Sequence, residues 1–81
     1  MPKIFEIKGY KFFFFSNEGC PLEPCHIHIR KGGNRAKFWI EPIVGLASAW
    51  RMSAKELNYL ENIVEEKSNL IKEKWCEHFN A

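Results

Sequence analysis

No hydrophobic run in this chain is long enough to cross a bilayer as a helix. The longest, Phe12 to Phe15, spans four residues, against the roughly 20 that a span requires, so no membrane partner is expected. Met1-Pro2-Lys3 leads into strand-like alternation rather than an apolar segment with a cleavage site, so no secretory leader is expected and the chain reads as cytoplasmic. Cysteine is scarce. Three residues, an odd number, in a reducing compartment argue against a disulfide framework. No segment repeats and none is of low complexity. With 81 residues there is no room for a second core, so residues 1–81 read as one domain.

What is present is apolar and aromatic. Hydrophobic residues make up 46% of the chain and aromatics 15%, enough for a folded core rather than disorder. A domain this small is marginally stable, so a partner or a homodimer is an expected way of covering exposed apolar surface. The net charge is only +2, but residues 1–51 hold eight basic and four acidic side chains, and residues 52–81 hold four basic and six acidic. The front half is the part suited to an anionic partner.

Local patterns predict an α+β fold: a small antiparallel sheet of about four strands in two hairpins, followed by two C-terminal helices packed on one face. Lys3 to Lys8 and Tyr10 to Ser16 read as strands around Gly9. Four consecutive phenylalanines put apolar groups on both faces of the second, which fits a covered central strand or one that meets a partner. Asn17 to Cys25 is rich in turn formers and has no period, so it reads as a loop. From His26 to Lys31 the pattern alternates, with Ile27 and Ile29 on one face and His26, His28 and Arg30 on the other. The Gly32-Gly33 pair marks a tight hairpin, with a two- or four-residue loop. Ala36 to Glu41 returns, placing Phe38 and Ile40 inward and Lys37, Trp39 and Glu41 on the histidine face.

Pro42 should end the pairing. Ile43 to Met52 reads as a connector with a turn of helix near Leu46 to Trp50, and Trp50 as a plug against the core. Ser53 and Glu56 form a capping box. Leu57, Leu60, Ile63, Val64, Leu70, Ile71, Trp75 and Phe79 then make one apolar helical stripe. An unbroken helix of about 28 residues would run about 42 Å, against about 20 Å for a six-residue strand. A break near Lys67-Ser68-Asn69, giving two helices, is therefore expected.

Three chemistries compete for the polar face. A structural zinc, the one cofactor considered, would use Cys20, Cys25, His26 and His28. The ligand types are right, but C-x₄-C-H-x-H is not finger spacing, and adjacent Cys25 and His26 point to opposite faces of a strand. A metal-independent ribonuclease would use His26 and His28 as acid and base with Glu18, because imidazole titrates near neutrality. A binding surface without catalysis would use Lys11, Arg30, Arg35 and Lys37 against phosphate and Trp39 as a stacking platform for single-stranded RNA. The same residues could serve an acidic protein partner. Each also has a plain reading, as solvated surface.

The motifs carry a resemblance. Gly9 to Gly19 (GYKFFFFSNEG), Glu23 to His28 (EPCHIH) and Ala36 to Pro42 (AKFWIEP) resemble a family of short bacterial proteins known only as a domain of unknown function. The similarity extends over essentially the whole chain. It implies a protein encoded beside a second small protein, the two forming a suspected toxin–antitoxin pair that acts on RNA or translation. It implies no catalytic residue. Cys20 and Cys25 depart from the family pattern, which has a polar residue and a proline there. That counts against zinc as the family's shared function.

Overall fold

The computed structural model describes residues 3–15 and 24–79. Five strands, β1 (Lys3–Ile7), β2 (Tyr10–Phe13), β3 (His26–Lys31), β4 (Asn34–Trp39) and β5 (Gly45–Trp50), precede two helices, α1 (Ala54–Glu66) and α2 (Ser68–Phe79). The strands form one antiparallel sheet in sequence order, β1-β2-β3-β4-β5. This is the expected α+β architecture with one strand more. The expected connector with a helical turn over Leu46 to Trp50 is instead edge strand β5. Its alanines are strong helix formers, but propensity summed over six residues is small, and pairing along β4, from Arg35–Trp50 to Trp39–Gly45, outweighs it.

Both tight turns follow from backbone sterics. β1 and β2 join through Lys8 (φ 50°) and Gly9 (φ 84°), with Ile7 opposite Tyr10, the positive pair that a type I′ turn requires. β3 and β4 join through a two-residue loop, since Lys31 pairs with Asn34, and the positive φ falls on Gly32. Pairing of β4 stops at Trp39, after which the Ile40 and Glu41 amides both donate to the Cys25 carbonyl. Pro42 follows a cis peptide bond.

The inner face of the sheet carries Phe12, Phe14, Cys25, Ile27, Ile29, Ala36, Phe38 and Ile40, packed with Leu60, Val64, Ile71 and Trp75 of the helices. The helical break falls where expected: α1 ends at Glu66, Lys67 is the cap, and α2 begins at Ser68. The Lys67 amide still donates to Ile63 and its carbonyl still accepts from Ile71, so the chain bends rather than reverses. Leu70, expected in the buried stripe, is exposed. Among the described residues no helix is long and apolar enough to cross a membrane.

The capping box forms as expected. Ser53 Oγ accepts from the Glu56 amide, and Glu56 Oε1 accepts from the Ser53 amide. Glu56 Oε2 also accepts a 2.7 Å hydrogen bond from the Tyr10 hydroxyl, tying the first hairpin to the start of α1. That bond, then burial, raises the Tyr10 phenol, and it lowers the Glu56 carboxyl. A lowered carboxylate stabilises the fold above its ordinary range and loses that contribution as pH falls through the lowered value. A raised phenol contributes below its ordinary value and loses that as pH rises through the raised one. Urea midpoints measured at about pH 7 and about pH 3, on either side of the ordinary Glu value of about 4.3, should therefore converge more in Tyr10→Phe than in the wild type. An identical acid-side drop in both proteins would refute the coupling.

Candidate functional site: the open face of the sheet

Strand register lays the outer face out in rows. The first runs Lys3, Phe13, His28, Lys37, Ser48 across all five strands. The next runs Glu6, Lys11, Arg30, Arg35, Trp50. At the far end His26 pairs with Trp39 and Trp39 with Gly45. Lys11, Arg30, Arg35, Lys37 and Trp39 are thus brought onto one face, as alternation predicts for Arg30, Lys37 and Trp39.

The second row places three cations side by side. Lys11 faces Arg30 and Arg30 faces Arg35, and all three are exposed. Directly opposed residues of antiparallel strands stand about 5 Å apart, so like charges there repel. The neighbouring carboxylate, Glu6, bonds Lys3 at 3.0 Å. Among the described residues none of the three cations makes a salt bridge. Arg30 Nε donates instead to the Gly32 carbonyl at 3.3 Å.

Two grooves flank Phe13. One, of about 400 Å³, is lined by Phe13, Phe15, His28, Arg35, Lys37 and Trp50 among others. The second, of about 370 Å³, is lined by Lys3, Gly9, Lys11, Phe13, Arg30 and Gly32. The run of four phenylalanines divides between the two faces. Phe12 and Phe14 enter the core, whereas Phe13 and Phe15 meet edge to face at 5.3 Å on the outside. Both lie against His28, with ring centroids at 5.7 and 4.4 Å. The Lys37 ammonium sits 4.6 Å from the Trp39 ring centre. Trp50, expected as a core plug, is 58% exposed and forms a groove wall.

His26 departs from the expected solvated position. It is fully buried. Its ring contacts His28 (5.2 Å), Trp39 (5.5 Å) and, from α2, Trp75 (5.0 Å). Nδ1 lies 2.9 Å from the Pro24 carbonyl; a carbonyl only accepts, so Nδ1 carries the proton of that bond. The site is that of a packed, oriented imidazole at the end of the sheet. His28 lines a groove and is the histidine that a ligand there would meet.

Glu18 and Cys20 lie outside the described residues, and Glu41 lies beyond the end of β4. Cys25 faces the core with Ile27 and Ile29. Burial, reinforced by Glu41, pushes its thiol up to about 12, the opposite of what a thiolate ligand needs. Among the described residues no three His, Cys, Asp or Glu side chains cluster as a metal site.

Sequence reasoning missed Lys3, Phe13, Phe15, Ser48 and Trp50 as groove residues. The odd-numbered phenylalanines shared the parity of Lys11, a signal that was present. Ser48 and Trp50 became visible only once β5 was a strand.

No curated protein and no solved structure gives a significant match to the chain. A family model described as a domain of unknown function, DUF4160, matches residues 9–76, which takes in both grooves' central strands, β5 and nearly all of both helices. The chain belongs to the DUF4160 family.

Proposed function

We propose that this protein binds single-stranded RNA across the open face of its sheet, as one member of a toxin–antitoxin-type pair acting on RNA or translation. The observation that carries the reading is the run of three adjacent exposed cations Lys11–Arg30–Arg35. Among the described residues only Glu6 stands beside the three, opposite Lys11 and bonded to Lys3, so their mutual repulsion favours a polyanion on the face. Aromatic groups beside the row suit bases rather than a bare phosphate surface: Trp50 and Phe15 are exposed, and Trp39 is half-buried under Lys37. Bases stack on such rings at about 1–3 kcal/mol each, without sequence preference. The shallow sheet favours an extended single strand over a duplex.

Binding should fall steeply with salt. Three phosphates neutralised by the row predict a slope of about −2 in log K against log salt, from about −0.7 per contact on a single strand. In fluorescence anisotropy with a single-stranded RNA oligonucleotide, Arg30→Glu/Arg35→Glu should weaken binding about 100-fold and flatten the slope by at least about 1.4. Both side chains are exposed, so the fold should survive, as circular dichroism would verify. Equal affinity of the variant and the wild type would sink the reading. Recovery from cells of a small protein partner without RNA would favour the alternative, a non-catalytic, antitoxin-like partner-binding protein.

A further inference from the structure

The two edges of the sheet differ. β1 carries the charged residues Lys3 and Glu6, which discourage further strand pairing. β5 carries no charge from Gly45 to Trp50. Five of its six residues are exposed, and Leu46 and Trp50 are 44% and 58% exposed beside Ile43 at 76%. A natural edge strand left this bare is a template for pairing with another strand.

We infer that β5 pairs antiparallel with β5 of a second copy, joining two sheets into one. The residue sizes select the register. Centred on Ser48, with the Ala47 of each strand outside the ladder, a two-fold pairing sets Ser48 opposite Ser48, Trp50 opposite Gly45 and Leu46 opposite Ala49, so each large side chain meets a small one. The irregularity in β5 makes the faces agree. Lys37 pairs with Ser48 but Phe38 with Leu46, so Ala47 is the extra residue. Gly45, Ser48 and Trp50 therefore share the open face, while Leu46 and Ala49 share the inner one. Directly opposed residues of an antiparallel pair must share a face, and the pairs of large with small residues do. Space is also present: a side chain added at Gly45 would meet nothing within 4 Å. Charge does not oppose the pairing, because the two Arg51 residues would stand about 20 Å apart at opposite ends of the seam.

A symmetric pairing of this kind is isologous and closes at two copies. It keeps both open faces on the same side. The groove bounded by Ser48 and Trp50 then borders the seam, and the partner's β5 forms its outer bank. In combination with the proposed RNA reading, the dimer offers one strand a basic track twice as long.

Sedimentation equilibrium of the full chain, freed of nucleic acid, tests this independently of RNA. The expected mass is twice the 9.6 kDa of one chain, falling toward one chain on dilution. Leu46→Lys/Trp50→Lys alters only exposed side chains and should give the single-chain mass with an unchanged circular dichroism spectrum. Gly45→Trp, which fills the space meant for the partner's indole, should do the same. Amides of β5 should exchange faster in both variants than in the wild type. A single-chain mass at up to about 1 mM, or a dimer that persists in both variants, would overturn the inference. So would a second protein occupying β5 while the isolated chain stays single. A wild-type dimer that binds no RNA would count against the RNA reading alone.

Discussion

Phe38→Ala should lower the stability of the fold by about 3–5 kcal/mol, among the largest losses any single truncation in this chain would cause. Phe38 is fully buried near the C-terminal end of β4, between Ile27 of β3 and Leu46 of β5 in the ladder and beneath the helices. Truncating a buried Phe costs about 3–5 kcal/mol, the lost transfer energy plus an unfilled cavity. Domains have roughly 0.05–0.15 kcal/mol of stability per residue, so a chain this short has about 4–12 kcal/mol in total. The loss is therefore about a quarter of the stability at the top of that range and all of it at the bottom. Urea unfolding followed by tryptophan fluorescence would read it as a large fall in midpoint, and Phe38→Leu should recover most of it. A neighbouring pair on α2 gives the control. Ile71 is fully buried and Leu70 is 37% exposed, so Ile71→Ala should cost about 2–5 kcal/mol and Leu70→Ala under about 1 kcal/mol. Equal costs would mean that the helix sits rotated from the orientation described.

That pair shows where the sequence was readable and where it stopped. The stripe Leu60, Val64, Ile71, Trp75 was legible because helical spacing is local. Leu70 and Ile71 are adjacent, and only the packed sheet decides which of them enters. The turns at Lys8-Gly9 and Gly32-Gly33, the Ser53–Glu56 box and the bend at Lys67 were legible for the same reason. Each is specified within a few residues. β5 was not. Gly45 to Trp50 has no clean alternation, because its irregular register shifts the period between Leu46 and Ser48, and what makes it a strand is the neighbouring β4. The candidate site divides along the same line. Alternation alone placed His28, Arg30, Lys37 and Trp39 on one face, while Lys11 and Arg35 joined it only through the strand register. It also placed His26 there, and could not show that Trp75, distant in the chain, would cover it.

The burial of His26 changes how catalysis on this face should be tested. A double variant lacking both histidines confounds folding with chemistry, so single variants are required. His26→Ala removes a ring packed between Trp39 and Trp75 and deprives the Pro24 carbonyl of its donor. A cavity of that kind with a lost hydrogen bond should cost about 2–4 kcal/mol, seen as a lowered urea midpoint. His28→Ala takes away a half-buried ring that lines the groove. It should cost less than His26→Ala and leave a native-like spectrum, yet weaken RNA binding, because the ring also supports Phe13 and Phe15. If the protein cleaves RNA, the imidazole exposed to the substrate must move the proton, and the buried one can only hold its neighbours in place. Induced expression should then slow growth and degrade cellular RNA for the wild type and not for His28→Ala or His28→Gln, provided each variant accumulates to the same level. Degradation that survives in a folded His28→Gln protein would remove His28 from any catalytic role and leave this face a binding surface alone. A His26→Ala protein that stays as stable as the wild type would refute the structural role assigned to that ring and return it to the list of candidate catalytic groups.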